Sequence, residues 1–508
     1  MVKNILQYLE NNVQKMPNKI IFLEENDSIT YKKFMDSAKI VGSNINNKLN
    51  KTNKSIAIFM EKGIECLIAM IGTVYSGNFY TVIDTKSPEE RTKVICDKLE
   101  PEMIITDVKN YEKLEKTGVF KNIYLYDDLY SKELLDEKLL NQIRRKMIDT
   151  DLMYVLFTSG STGTPKGIAV SHKSVISYIS SVVDIFKFDE NTVFGNQTPF
   201  YFSMSVLDIF STIMAGGTLN IIPKKYFSFP VKLLEYINEN KINTIYWVPS
   251  ALCIVANLKA FDVVKPQTLN KILFAGEIMP VKQLNEWRKN VKALYANLYG
   301  PTEVTDICTY YILDREFKEN ESIPIGKACD NCDVLILNSA GVPSTKGELC
   351  VRGSFLASGY YRDKEKTDKV FVQNPLNKNY PEKIYKTGDI VKINENGEII
   401  YVSRKDFQIK HLGYRIELGE IEKNVNLVEG VTSGICVYDE TSSKIVLFYQ
   451  AKNLEKNELH KILKEKLLPY MVPNEMIKLD TIPYNPNGKI DRKLLKNNFM
   501  EGVYTWKN

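Results

Sequence analysis

The sequence predicts an α/β protein: a large N-terminal lobe of parallel-rich sheets and helices, then a small C-terminal α/β lobe. Three observations predict it. Over residues 1–150, short apolar runs at 55–59, 79–83 and 103–105 alternate with helical patterns, the mark of α/β units built on parallel sheets. At 154–157 an aromatic and β-branched run reads as a buried strand, and Val175, Ile176, Ile179, Val182, Val183 and Phe186 then fall at helical spacing. The last hundred residues repeat the pattern on a smaller scale, with helices near 418–427 and 459–468 and strands near 432–438 and 445–450. A length of 508 residues is too great for one ordinary domain.

Composition narrows the function classes. Hydrophobic content of 44% and charged content of 25% are those of a soluble globular protein. A net charge of +5 spread over this length does not point to nucleic acid. The N-terminus has no apolar core followed by small residues, and no apolar run is long enough to span a bilayer. A cytoplasmic protein with no membrane partner is expected. Of eight cysteines, only Cys329-Asp-Asn-Cys332 has ligand-like spacing, and no second pair or nearby histidine completes a zinc site. Three histidines (His172, His411, His460) leave little material for histidine-based catalysis. The chemistry must be one that phosphate electrostatics can carry.

The stretch after the 154–157 strand reads TSGSTGTPKG, from Thr158 to Gly167. Small residues let backbone N–H groups approach phosphate oxygens, hydroxyls add hydrogen bonds, and Lys166 adds a point charge. A plain Ser/Thr/Gly linker needs neither a buried strand before it nor a lysine held behind a proline. The Walker pattern fails, because no glycine stands directly before the lysine at the required spacing. This is a phosphate loop of another kind, and it resembles the signature loop of the adenylate-forming superfamily. That superfamily includes peptide-synthetase adenylation domains, acyl- and aryl-CoA ligases and luciferases.

Further landmarks follow in the superfamily's order. Residues 69–92 resemble its early core and carry no assigned chemistry. Residues 198–217 place Val206, Ile209, Phe210, Ile213 and Met214 on one face of a helix, with Ser205 available as a cap near its start. Amino-acid-activating relatives read Phe-Asp-x-Ser there, and the aspartate holds the substrate's α-ammonium group. This chain reads Phe202-Ser203-Met204-Ser205. An ammonium buried without a counter-charge is costly, so Ser203 argues against a plain α-amino acid. Residues 297–305, NLYGPTEVT, match the second strong motif. There Tyr299 would face the adenine, and Glu303 offers a hard oxygen ligand for Mg²⁺ on the nucleotide.

The resemblance implies a nucleotide site made from Thr158, Ser159, Gly160, Ser161, Thr162, Gly163, Gly276, Asn297, Leu298, Tyr299, Gly300, Pro301, Thr302, Asp389, Tyr401, Arg404 and Lys489. Asp389 would accept hydrogen bonds from the ribose hydroxyls. Thr158, Lys166, Glu303, Arg404 and Lys489 are the expected catalytic residues. Phe202, Ser203, Met204, Leu207, Trp247, Leu273, Ala275, Leu298, Asp306 and Ile307 would line the acid pocket. Most of these are apolar, as small-molecule pockets tend to be. The exception, Asp306, is expected either to meet a substrate amine or hydroxyl set farther out than an α-amine, or to sit on the rim facing solvent.

The resemblance places the domain boundary between 1–403 and 404–508, with a hinge near 404–406 at Asp406. Gly413 would line a thiol tunnel, and Lys489 of Asn487-Gly488-Lys489 would reach the reacting carboxylate and α-phosphate. The implied activity is ATP- and Mg²⁺-dependent conversion of a small carboxylic or amino acid to an acyl-adenylate. Transfer to the phosphopantetheine thiol of a carrier protein would follow, as in the ligases that activate D-alanine. No carrier-attachment pattern follows Lys489, so a separate carrier is expected. The alternatives are an acyl- or aryl-CoA ligase and a non-catalytic nucleotide-binding relative.

Overall fold

The computed structural model describes residues 2–118, 120–130, 135–160, 164–483 and 490–504. The chain folds as two compact units. The first comprises Met1–Thr85, Lys98–Phe157 and Gly167–Lys405; the second comprises Lys86–Asp97, Thr158–Lys166 and Asp406–Asn508.

Three sheets form the first unit among the described residues. A nine-stranded sheet has Leu294–Tyr299, Lys271–Ala275, Thr244–Trp247, Val193–Asn196, Thr218–Ile221 and Ile20–Glu24 running parallel through its centre. Antiparallel strands close both of its edges, at Thr309–Ile312 and Lys327–Ala328 on one side and Asp27–Thr30 on the other. A seven-stranded sheet carries Leu152–Thr158, Phe79–Val82, Ser55–Phe59, Met103–Thr106 and Ile123–Leu125, joined by Lys166–Ser171 and Gly359–Tyr360. The expected strands at 55–59, 79–83, 103–105 and 154–157 all belong to this sheet. Their continuous apolar runs are explained by burial on both faces, which parallel sheets covered by helices require. The third sheet is antiparallel and includes Lys346–Gly353, Lys383–Ile393 and Ile399–Arg404.

Helix His172–Phe186 begins where the side chain of Ser171 accepts the backbone N–H of Ser174. Its buried face carries Val175, Tyr178, Ile179, Val182 and Phe186, at the spacing read from the sequence. Helix Ser205–Ala215 also forms, with Met204 in the cap position and no side-chain cap. Ser205 is therefore not the cap: it is the first helical residue, and its hydroxyl donates to the Phe202 carbonyl at 2.7 Å. A serine one place inside the helix bonds backward to the preceding turn instead of accepting from the next one.

The second unit has its own core around Ile416, Ile421, Leu447, Leu459 and Leu463. Strands Val431–Asp439 and Lys444–Ala451 pair antiparallel, and Glu475–Lys478 adds a parallel third strand. A hairpin joins Gln408–His411 to Tyr414–Glu417 through Leu412 and Gly413, with φ of 51° and 80°. Two positive φ values in a two-residue loop match the right-handed twist of the flanking strands. No helix among the described residues is long and apolar enough to cross a membrane.

Candidate active site

Strand Leu294–Tyr299 ends at a turn that only glycine fits. A Cβ on Gly300 would lie 2.4 Å from the Ile307 Cα and 2.5 Å from the Asp306 carbonyl oxygen, because the chain folds straight back into Thr309–Ile312. The turn fixes Tyr299 beside the third sheet, where its phenol donates to Asp389 Oδ2. Arg404 Nη1 donates to Asp389 Oδ1 at 2.8 Å, and the two residues are register partners on neighbouring strands. Asp389 is buried, and its own N–H donates to Thr387 Oγ1 at 3.0 Å. Burial and the adjacent carboxylate push the Tyr299 phenol well above its ordinary pKa, so it remains a donor. Three residues expected at the nucleotide thus share one carboxylate. Tyr401 lies partly buried on the same strand as Arg404, paired with Val391. Asn297 donates its side-chain amide to the Pro324 carbonyl at 2.8 Å.

Glu303 sits in the short 3₁₀ turn Thr302–Val304 and is fully buried. Its Oε1 accepts from the Tyr360 hydroxyl at 2.8 Å, and its carbonyl accepts from Ala357 N at 2.9 Å. Among the described residues, no group of three His, Cys, Asp or Glu side chains could hold a metal ion by itself. One carboxylate fits Mg²⁺ only when phosphate oxygens supply further ligands, which is how that ion is commonly held.

Strand register sorts the expected acid pocket. Leu273 pairs with Tyr246 and with Ala296, and Ala275 pairs with Leu298. Register partners in a sheet share a face, so Tyr246, Leu273, Ala275 and Leu298 stand together. Trp247 pairs with Phe274, which in turn pairs with Asn297, on the opposite face. There the Trp247 indole N–H donates to the Gly195 carbonyl at 2.7 Å and its ring packs edge-on against Phe227. Trp247 therefore stands on the face opposite Leu273, Ala275 and Leu298, unlike the expectation, and Tyr246 stands on theirs; a slip of one residue reverses the face.

Of the two expectations for Asp306, the solvent-facing rim is corrected: the residue is 2% exposed, and its Oδ2 accepts from the hydroxyls of Tyr178 at 2.7 Å and Tyr246 at 3.2 Å. Both phenols are raised well above their ordinary pKa, by burial first and by Asp306 second. Met204, Leu207 and Ile307 are buried, and the Met204 sulfur lies 3.5 Å from where a Gly276 Cβ would stand. Gly276 has a φ of +91°, open to glycine at no steric penalty. Phe202 is partly buried against Tyr201. Ser203 Oγ lies 3.0 Å from Thr302 Oγ1, which ties the pocket segment to the 3₁₀ turn.

The phosphate loop belongs to the second unit. Thr158 Oγ1 is buried with no hydrogen-bond partner among the described residues, an orphan that a ligand oxygen would satisfy. A Cβ on Gly160 would lie 2.0 Å from the Thr164 carbonyl oxygen, so a side chain has no room there. Ser159 Oγ donates to the Arg415 carbonyl at 2.7 Å, and Lys166 Nζ lies 4.0 Å from Glu417 Oε1. Asp406 Oδ1 accepts from Gln408 N at 3.2 Å. Ser161, Thr162, Gly163 and Lys489 lie outside the described residues.

The family model described as AMP-binding enzyme matches residues 9–361, more than half of the chain. The chain belongs to that family. It is an ATP-dependent adenylate-forming ligase of the adenylation-domain type. Among its curated relatives, zwittermicin A synthase ZmaJ of Bacillus cereus is 29% identical over 509 residues, covering 97% of this chain and 94% of that protein. Bacitracin synthase 1 of Bacillus licheniformis is 31% identical over 504 residues, covering 97% of this chain and 9% of the synthase. The chain spans less than half the length of several such synthases. The fold matches a solved structure of holo-PA1221, a nonribosomal peptide synthetase protein containing adenylation and PCP domains, with a TM-score of 0.83 and 21% identity. That match covers 98% of this chain and 84% of the other.

Reasoning from sequence missed Tyr178, Tyr246 and Tyr360 as the partners of Asp306 and Glu303. Tyr360 stands in a Gly-Tyr-Tyr-Arg run, and the other two carry no motif. Lys62 and Asp208, described below, were also missed.

Proposed function

We propose that this adenylate-forming ligase activates a small carboxylic acid other than a plain α-amino acid, then passes the acyl group to the phosphopantetheine thiol of a separate carrier protein. The observation that carries the reading is Ser203, whose hydroxyl meets Thr302 at the position where amino-acid-activating relatives place an aspartate. A neutral hydroxyl there gives an α-ammonium group no counter-charge. The surrounding Met204, Leu207, Leu273, Ala275 and Leu298 are apolar and suit a carbon skeleton.

In the first half-reaction the acid's carboxylate oxygen attacks the α-phosphorus of ATP, and pyrophosphate leaves. Such transfers require positioning and charge neutralisation more than a protein nucleophile. Arg404 and Asp389 would orient the nucleoside end, and the family resemblance assigns phosphate binding to Thr158–Lys166 and the reacting carboxylate to Lys489. Glu303, together with phosphate oxygens, would hold Mg²⁺, and that ion would supply charge neutralisation at the triphosphate. The second half-reaction uses the phosphopantetheine thiol. The thiol then attacks the acyl carbonyl and AMP leaves with the bonding electrons.

Carrier loading is supported by the neighbour that contains both adenylation and PCP domains. A thioester assay with a phosphopantetheinylated carrier and with CoA tests it. Acylation of the carrier is the expected result; acylation of CoA alone overturns it and makes the protein an acyl-CoA ligase. Pyrophosphate release across acids with α-, β- and ω-amino, hydroxyaryl and unsubstituted chains tests the acid class.

A further inference from the structure

Lys62 follows strand Ser55–Phe59 of the seven-stranded sheet, in a Glu-Lys-Gly triplet that reads as ordinary surface. In the fold its ammonium reaches across to the nine-stranded sheet. Nζ donates to the carbonyls of Asn196 at 3.3 Å and Gln197 at 3.2 Å, where strand Val193–Asn196 ends. It also stands 5.6 Å from the centre of the Phe200 ring. Part of the Lys62 side chain is solvent-accessible, while its charged end is enclosed by protein.

Those two carbonyls begin the segment that runs through Phe200 into Phe202, Ser203 and Met204. The segment ends in helix Ser205–Ala215, which carries Asp208. Asp208 Oδ2 accepts from Asn196 Nδ2 at 2.7 Å, so the helix ties back to the residue that Lys62 holds. Asn196, fully buried, is thus gripped by its carbonyl and by its side chain. Asp208 Oδ1 and Asn196 Oδ1 are buried without hydrogen-bond partners among the described residues. Burial pulls the Lys62 ammonium down to about 7, partly offset by Asp208, and pushes the Asp208 carboxyl up to about 8. Burial on this scale is not what a solubilising surface lysine has.

We propose that Lys62 is a positioning residue for the acid: by holding the Asn196 and Gln197 carbonyls it sets where Phe202, Ser203 and Met204 stand against the bound substrate. The proposal rests on the reading that an acid binds at those three residues. It adds that the placement is controlled from the other sheet, by a residue that does not touch the acid. Arginine keeps the charge and the donors, whereas methionine keeps the stem and removes both.

The test compares the full-length wild type with Lys62→Met and Lys62→Arg. Hydrogen exchange of peptides spanning 196–204 is read first, without ligand. Pyrophosphate release with β-alanine and with 3-hydroxybenzoate as probes is read second. In Lys62→Met, exchange rises in 196–204 beyond any rise elsewhere, and the KM for the acid increases about tenfold or more while the KM for ATP holds within about twofold. Lys62→Arg restores both. Unchanged exchange in that segment, or equal changes in both KM values, overturns the proposal. If the wild type releases no pyrophosphate with any acid, the functional reading has failed, and the exchange measurement alone decides whether Lys62 holds the segment.

Discussion

Tyr299 and Asp389, ninety residues apart in the chain, share a buried hydrogen bond that joins the nine-stranded sheet to the antiparallel sheet. Arg404 takes the other carboxylate oxygen at 2.8 Å. A carboxylate so held is oriented before any nucleotide arrives, and preorganised groups serve binding without further ordering. Asp389→Asn keeps the shape and removes the charge that Arg404 pairs with. The KM for ATP is expected to rise about 10- to 100-fold, the range for losing one charge-assisted hydrogen bond. Tyr299→Phe keeps the ring and gives a smaller rise. Pyrophosphate release against ATP concentration checks both.

Ser203 makes a prediction of opposite sign, a gain. Ser203→Asp places a carboxylate where amino-acid-activating relatives have one. Pyrophosphate release with glycine and L-alanine is expected to appear or to increase at least about tenfold, as pairing an otherwise isolated ammonium allows. Loss of turnover with the native acid and no gain with either amino acid contradicts it.

Asp306 supplies the acceptor for two buried phenols. Asp306→Ala leaves the Tyr178 and Tyr246 hydroxyls without it, at about 1–3 kcal/mol for each unsatisfied group. Urea denaturation is expected to show a loss of roughly 2–6 kcal/mol. An unchanged midpoint rules out the cluster as a stabilising feature.

His172 links stability to pH. It is fully buried, neither ring nitrogen has a hydrogen-bond partner among the described residues, and burial lowers its pKa to about 3, with Arg144 adding to the effect. The unfolded chain holds the same imidazole near its usual value of about 6.5. Between those values the unfolded state binds the extra proton, so acid destabilises the fold by up to about 1.4 kcal/mol per pH unit. His172→Phe removes that component. Urea midpoints from pH 7 to pH 4 should fall less steeply in the variant, and parallel profiles would contradict the assignment.

What could be read from sequence follows physical range. Buried strands at 55–59 and 154–157 and the helix after His172 were legible because apolar periodicity is a local property. The Gly300 turn was legible as a motif, and the fold supplies its reason in the returning strand. The face of Trp247 was not legible, since the last residue of a strand takes its side from register with its neighbours. The burial of Asp306 was not legible because Tyr178 and Tyr246, its donors, lie far off in sequence. Lys62 gave no signal at all: only the approach of two sheets turns a surface-like lysine into a tie between carbonyls.

The central claim is that a carboxylic acid, held at Ser203 and its apolar neighbours, is joined to AMP. ATP–pyrophosphate exchange, run acid by acid over β-amino, ω-amino, hydroxybenzoic and plain α-amino acids, tests it most directly. Acid-dependent exchange is expected, strongest for an acid without an α-amine, with AMP as the nucleotide product. Exchange strongest for a plain α-amino acid contradicts the reading of Ser203, and no exchange with any acid contradicts the activity itself.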